Sequence, residues 1–237
     1  MRYVLLLLLA ASCSPLYVPN TRNVPLFKQS GEFQAAVFAT TGGADAQVAY
    51  AVTDHVAVMG NYSHGSVTKS SPIGDYKRKN DFGEIGLGYY KVKRHSRLEI
   101  FGGYGVGKGT NYDQYYFYGL NNDVIATGKF NRLFFQPSIG TNNRNFNLAF
   151  TPRFSWVKYT EFSAPNNKTI KPDEKYQLFI EPAVTGKFHL VGNLHGVFQL
   201  GLDIATPSEP YFTFMPLQFA FGLQLDTSNR LRTKVYK

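Results

Sequence analysis

Five histidines, His55, His64, His95, His189 and His195, are the first residues to weigh for chemistry. His189 and His195 flank a Gly192-Asn193 turn and share one face of the paired strands, so they approach each other. Glu181 and Asp203 lie on the same stretch of chain, but no spacing selects them over other acids as partners in a hydrolytic site. There is no HExxH, and no histidine pair has ligand spacing on one strand face, so no metal is expected. A hydrogen-bonded turn pair is the plainer reading of His189 and His195. The chain also lacks GxSxG and a Walker loop. Gly102-Gly103-Tyr104-Gly105-Val106-Gly107 imitates a dinucleotide fingerprint, but it lies inside a strand pattern with no helix after it, so the phosphate-cradling mechanism is missing. These glycines are expected to relieve crowding instead. No cofactor is implied.

The other reactive group is Cys13, the single cysteine of the chain. Arg2 precedes an apolar run from Val4 to Leu9, followed by Ala10-Ala11-Ser12-Cys13. That run is too short to span a bilayer and has the make-up of a signal peptide. The junction resembles a bacterial lipoprotein signal with its lipobox, with Ala10 where leucine is usual. The resemblance implies cleavage after residue 12 and lipidation of Cys13. An ordinary signal peptide that leaves a free thiol is the alternative. With one cysteine, no disulfide can staple the fold. Formal net charge is +9, which for an exported chain favours lipid head groups and lipopolysaccharide over nucleic acid. An unselected basic surface fits the charge equally well.

Positioning these groups falls to strands. Aromatics are 16% of residues and there are 22 glycines, a mixture that favours β structure with many turns. Residues 13–30 hold three prolines without periodicity and are expected to form an extended tether. From Gly31 the pattern has period two. Ten strands are expected, at about 32–40, 44–52, 55–65, 82–93, 96–107, 128–140, 145–160, 175–190, 193–205 and 211–225. Short links such as Thr53-Asp54 and Arg94-His95 alternate with long polar loops at 66–81, 108–127 and 161–174. This describes an up-and-down antiparallel meander over 31–226 that resembles an outer-membrane barrel, so an all-β transmembrane β-barrel is expected, followed by a basic tail at 227–237. An even strand count brings both barrel termini to the periplasmic side, where a lipidated Cys13 would also sit.

A soluble lipocalin-like barrel shows the same alternation with the apolar face turned in. Side-chain size decides for lipid outside: the polar face is rich in small residues such as Ala49, Ala51, Gly86, Gly88 and Gly103. That face also carries Glu84, Glu99, Arg132, Arg153, Glu181, Lys187 and Asp203, expected to form a charge network that fills the bore. Pro137, Pro152, Pro182 and Pro216 fall inside proposed strands and imply bulges or breaks. Lys91, Lys93, Arg94 and Arg97 form a basic periplasmic rim that would grip head groups or an envelope partner. Tyr112, Tyr115, Tyr116, Phe117 and Tyr118 suit either sugar stacking or an interfacial aromatic belt.

Tyr17-Val18-Pro19-Asn20, Pro25-Leu26-Phe27, Gly31-Glu32-Phe33-Gln34-Ala35-Ala36 and Ala49-Tyr50-Ala51-Val52-Thr53-Asp54-His55 resemble small outer-membrane barrel lipoproteins of Bacteroidetes-type bacteria. That resemblance implies an outer-membrane location and no established activity. The leading expectation is a non-enzymatic structural or interaction protein, such as an accessory subunit of an envelope complex. The alternatives are a lipid-modifying enzyme, a narrow channel and a soluble lipid-binding barrel.

Overall fold

Period-two patterning produces strands whose neighbours in sequence are neighbours in space. The computed structural model describes residues 15–71, 74–117, 120–163, 169–170, 175–206 and 214–227. The strands are β1 (Phe33–Thr40), β2 (Gly43–Ala51), β3 (Val56–Ser71), β4 (Gly74–Val92), β5 (Ser96–Phe117), β6 (Leu120–Thr141), β7 (Phe146–Thr151), β8 (Phe154–Ser163), β9 (Thr169–Ile170), β10 (Gln177–Ile180), β11 (Ala183–Val191), β12 (Leu194–Leu202), β13 (Ile204–Ala205) and β14 (Leu217–Asp226). Strands β1 to β6 pair consecutively and antiparallel. β6 pairs with both β7 and β8, β8 with β10, β7 with β11, and β11 with β12. β12 pairs with β14, and β14 pairs with β1, which closes the sheet. Taken as interrupted strands, β7–β8, β10–β11 and β12–β13 make this a ten-stranded barrel.

The interruptions have a sequence cause. Pro152 separates β7 from β8, and Pro182 separates β10 from β11. Pro137 remains inside β6, opposite Ile100 of β5, but on its other side β6 passes there from β8 to β7 without a ladder partner. Proline has no N–H to give, and its positions coincide with gaps in pairing. Alternation survives each break: Thr151, Arg153 and Ser155 are all buried, as are Phe179, Glu181 and Ala183.

The two faces have opposite chemistry. On β14 the outward Phe221 is 60% exposed, whereas the inward Ala220 is 7% exposed. Outward Val56, Val58, Ile85, Leu87, Ile100, Leu148, Phe150, Phe198, Leu200, Phe219 and Leu223 continue an exposed apolar belt around the wall. Such a belt over polar, buried inner residues is the surface of a membrane-spanning barrel.

Two expectations about connections are corrected. Segments 66–81 and 108–127 are not long loops: β3 and β4 run on to Ser71 and Gly74, and β5 and β6 to Phe117 and Leu120. Ser66, Thr68, Lys77, Lys79 and Lys108 stand at outer positions there in place of most of the apolar residues, so the pattern lost its hydrophobic signal while keeping residues that pair well in a hairpin. Strands β5 and β6 have 22 residues each. A membrane-spanning strand needs about 9–11. The hairpins therefore extend well past the belt at the end opposite the short turns. The segment 161–174 lies largely outside the described residues, as do the tail from 228 and Cys13.

The expected tether is also placed differently. The segment is extended and irregular, but Leu16, Tyr17, Val18, Asn20, Thr21, Arg22, Asn23, Val24, Leu26 and Phe27 are all buried, inside the barrel. It is a plug.

Candidate functional site in the plugged lumen

The plug crosses the bore as a ladder of contacts in sequence order. Tyr17 stands against Phe130 and Phe179, with ring centroids 5.3 and 4.7 Å away. With Leu16, Phe82, Val157, Tyr159 and Phe162 they form an aromatic layer toward the hairpin end. Gly103, Gly105 and Gly107 of β5 make room for the rings of Phe134, Phe82 and Phe130, which a Cβ at those positions would strike. Bulky aromatics inside the barrel go beyond the small-residue lumen expected from sequence. A second apolar layer gathers Phe27 with Ala49, Ala51, Ala57, Met59, Tyr90, Phe101 and Phe134 nearer the short turns.

Between these layers the bore is polar. Glu84 pairs with Arg132 and accepts from Asn20 Nδ2 at 2.9 Å and Asn61 Nδ2 at 2.7 Å. Arg153 lies 3.6 Å from Glu84, and its Nε donates to Glu181 Oε2 at 2.6 Å. The Tyr17 hydroxyl donates to Glu181 Oε1 at 2.7 Å and accepts from Arg132 Nη1 at 2.9 Å. Arg22 of the plug pairs with Asp203 and donates to Gln218 Oε1. The side chains of Glu84, Arg132, Arg153, Glu181, Arg22 and Asp203 have 0% exposure. Three acids meet three guanidiniums. Charges this buried are tolerated only when paired and hydrogen-bonded; all six are paired here, with Arg132 Nε and Asp203 Oδ2 left without a hydrogen bond.

Wall side chains also serve the plug's main chain, which has no ladder of its own. Asp45 accepts from Thr21 N at 2.6 Å, and Gln47 donates to Thr21 O at 2.9 Å. Gln199 accepts from Arg22 N at 2.7 Å and returns a bond to Arg22 O at 2.9 Å. Gln218 donates to Pro19 O, Gln136 to Asn23 O, Lys187 to Pro25 O and Arg97 to Leu26 O, all within 2.6–3.0 Å. Glu99 accepts from Phe27 N at 2.9 Å. Leaving one such buried group unpaired costs about 1–3 kcal/mol.

All seven charged residues expected in the lumen lie there. Five of them, Glu84, Arg132, Arg153, Glu181 and Asp203, belong to the central network. Glu99 and Lys187 sit lower, binding the plug at Phe27 and Pro25. The basic rim is only partly a rim: Lys91, Lys93 and Arg94 are exposed, but Arg97 is buried and turned inward onto Leu26 O and Asn142. The strand period accounts for this, since Arg97 and Glu99 share a face while Lys91 and Lys93 extend past the belt. His189 and His195 are cross-strand partners with ring centroids 5.4 Å apart. His189 Nε2 contacts Gly192 O at 3.1 Å, and His195 Nε2 lies 2.9 Å from Asp226. Glu181 and Asp203 are engaged in the network, away from both. No cluster of three or more metal-ligating side chains occurs among the described residues. Just beyond the apolar belt, on the hairpin side, His64 Nδ1 lies 2.7 Å from Asp81; hydrogen bonds from His64 and Tyr62 hold that carboxyl below the usual carboxylate range despite its slight desolvation. In the aromatic stretch the backbone at Tyr112 and residues 115–117 belongs to the β5–β6 hairpin, and Tyr118 lies outside the described residues.

Sequence reasoning missed Tyr17, Asn20, Thr21 and Arg22, which supply the plug's share of the site. The available signal was an imbalance on the polar face, where Glu32, Asp45, Glu84, Glu99, Glu181 and Asp203 stood against only Arg132, Arg153 and Lys187.

No family model matches the chain, and no curated protein matches it. Among solved structures it is similar to an outer membrane channel from Pseudomonas putida F1, at 12% identity and a TM-score of 0.47, covering 87% of this chain and all (100%) of that one. It is also similar to the translocator domain of the autotransporter NalP from Neisseria meningitidis, at 9% identity and a TM-score of 0.40, covering 82% and 86%. A third is CarO from Acinetobacter baumannii, at 8% identity and a TM-score of 0.33, covering 84% and 99%.

Proposed function

We propose that this chain is a non-enzymatic, outer-membrane barrel lipoprotein, anchored through Cys13, whose bore is permanently filled and whose long hairpins serve an envelope partner. The observation that carries the reading is the plug: five charged side chains of the wall, Glu84, Arg132, Arg153, Glu181 and Asp203, have 0% exposure and are tied to Tyr17, Asn20 and Arg22 of the chain's own N-terminal segment. A bore filled this way keeps those charges out of contact with solvent among the described residues. The exposed apolar belt supports residence in a bilayer, and the signal-like first twelve residues support export. The finer assignments rest on sequence alone: the lipid anchor on the Ala-Ser-Cys13 junction, and the likeness to Bacteroidetes-type barrel lipoproteins on the segments Tyr17–Asn20, Pro25–Phe27, Gly31–Ala36 and Ala49–His55.

With the lumen closed, what remains for function is the outside. β3–β4 and β5–β6 rise past the belt as two-stranded ribbons carrying Lys77, Lys79, Lys108 and Lys129. Affinity purification from native membranes tests this. The full chain should retain one or more envelope proteins, and a variant with β5–β6 shortened by residues 110–127 should release them. Recovery of the full chain alone, with lipid A altered in a strain lacking it, would favour the lipid-modifying alternative.

A further inference from the structure

The plug has a direction, and that direction places the start of the mature chain. Leu16 lies against Gly109 so closely that a Cβ there would strike the Leu16 carbonyl. Gly109 is on β5 beyond Val106, where the outward apolar residues Ile100, Tyr104 and Val106 of that strand give way to Lys108. Val18 Cγ1 lies 2.7 Å from where a Gly42 Cβ would be, and Gly42 is in the β1–β2 turn at the same end. Asn20 then meets Glu84 at mid-bore, Asn23 meets Asn61, and Leu26 meets Arg97. Phe27 packs against Ala51, Ala57 and Tyr90 beside the short turns. There the chain turns: Lys28 N donates to Glu32, and Gly31 N donates to Ala51 O at 2.8 Å, before β1 begins beside Thr227.

The chain thus enters the bore at the long-hairpin end, crosses it once and re-enters the membrane as β1. In a barrel of this kind the long connections face outward and the short turns face the periplasm. Three peptide steps separate Cys13 from Leu16, a reach of at most about 11 Å. We infer that the protein threads its own barrel from outside, so that the N-terminal end of the mature chain, and the acyl group that the reading above places on Cys13, belong to the outer leaflet and cell surface. This replaces the expectation of a periplasmic anchor. It also sets an order of assembly. No acyl chain can pass a bore filled by Arg132, Arg153 and Glu84, so the plug must be in place before β1 and β14 zip along Gln34↔Asp226 to Thr40↔Ala220.

Sidedness and acylation are read separately. An epitope is inserted between Ser14 and Pro15, with control epitopes in the Thr53-Asp54 turn and after Ser71 in the β3–β4 hairpin. Antibody on intact cells should bind the Ser14 and Ser71 epitopes and not the Thr53 one. Binding of the Ser14 epitope only after permeabilisation, as for Thr53, overturns the inference. Metabolic labelling with a fatty-acid probe reports acylation whichever side is found, so an unlabelled but surface-exposed N-terminus refutes the anchor and leaves the threading standing. Where the insertion blocks assembly, the Val18→Cys/Gly42→Cys pair replaces it. Mild oxidation should link the two positions in the folded barrel and in neither single variant. A folded double variant that does not link overturns the threading.

Discussion

Arg153 and Glu181 are bonded to each other twice, through main chain and through side chain. Arg153 N donates to Glu181 O at 3.2 Å and Glu181 N to Arg153 O at 2.7 Å, while Arg153 Nε donates to Glu181 Oε2 at 2.6 Å. Both stand where proline interrupts the wall, Arg153 after Pro152 and Glu181 before Pro182. The charged centre of the bore therefore also bridges the gap in the ladder.

Removing either partner leaves a buried charge uncompensated, at a cost of about 3–5 kcal/mol. Arg153→Ala should lower the urea midpoint of the detergent-solubilised barrel strongly. Lys91→Ala, on the exposed rim, should stay within about 0.5 kcal/mol. Equal midpoints for the two would contradict the inward placement of Arg153.

Arg22 and Asp203 join plug to wall. Arg22→Ala and Asp203→Ala should each destabilise by several times more than an exposed substitution, and the double variant should cost clearly less than their sum. Additive losses in the cycle would mean that the plug does not supply the counter-ion of Asp203.

The outer belt predicts a depth-dependent penalty. Phe221→Arg places a charge on the lipid face and should cost about 2–4 kcal/mol in vesicles. Ser66→Arg, on the hairpin beyond the belt, should be near neutral. The same belt should keep a Cys13→Ser chain in the membrane fraction after alkaline wash; a Cys13→Ser protein that stays monomeric in water without detergent would contradict the lipid-facing assignment.

Metabolic fatty-acid labelling should mark the wild type and not Cys13→Ser. Equal labelling of both would remove the lipid anchor from the account.

Much of this was legible in the sequence. Strict alternation from Tyr176 to Leu190 and from Met215 to Leu225 gave both strand existence and face, because burial on one side fixes register. The prolines were legible as irregularities, but that Pro137, Pro152 and Pro182 share one gap depends on strand register, which no local pattern carries. The hairpin extensions were lost because Lys77, Lys79, Thr110 and Asn111 carry no apolar period. The plug was the largest omission. Residues 16–27 have no period of their own: their structure is imposed by Asp45, Gln47, Gln199 and Gln218, some of them nearly two hundred residues away in sequence. A segment held by side chains of the wall looks like a linker when read alone.

The filled bore is tested most directly by planar-bilayer recording of the purified wild-type barrel alongside a variant in which residues 16–27 are replaced by a Gly/Ser segment of equal length. The wild type should show no steady conductance, and the replaced plug should give ion flow through the same wall. A steady, large conductance from the wild type would contradict a lumen closed by Glu84, Arg132, Arg153 and Glu181 and would make the protein a channel.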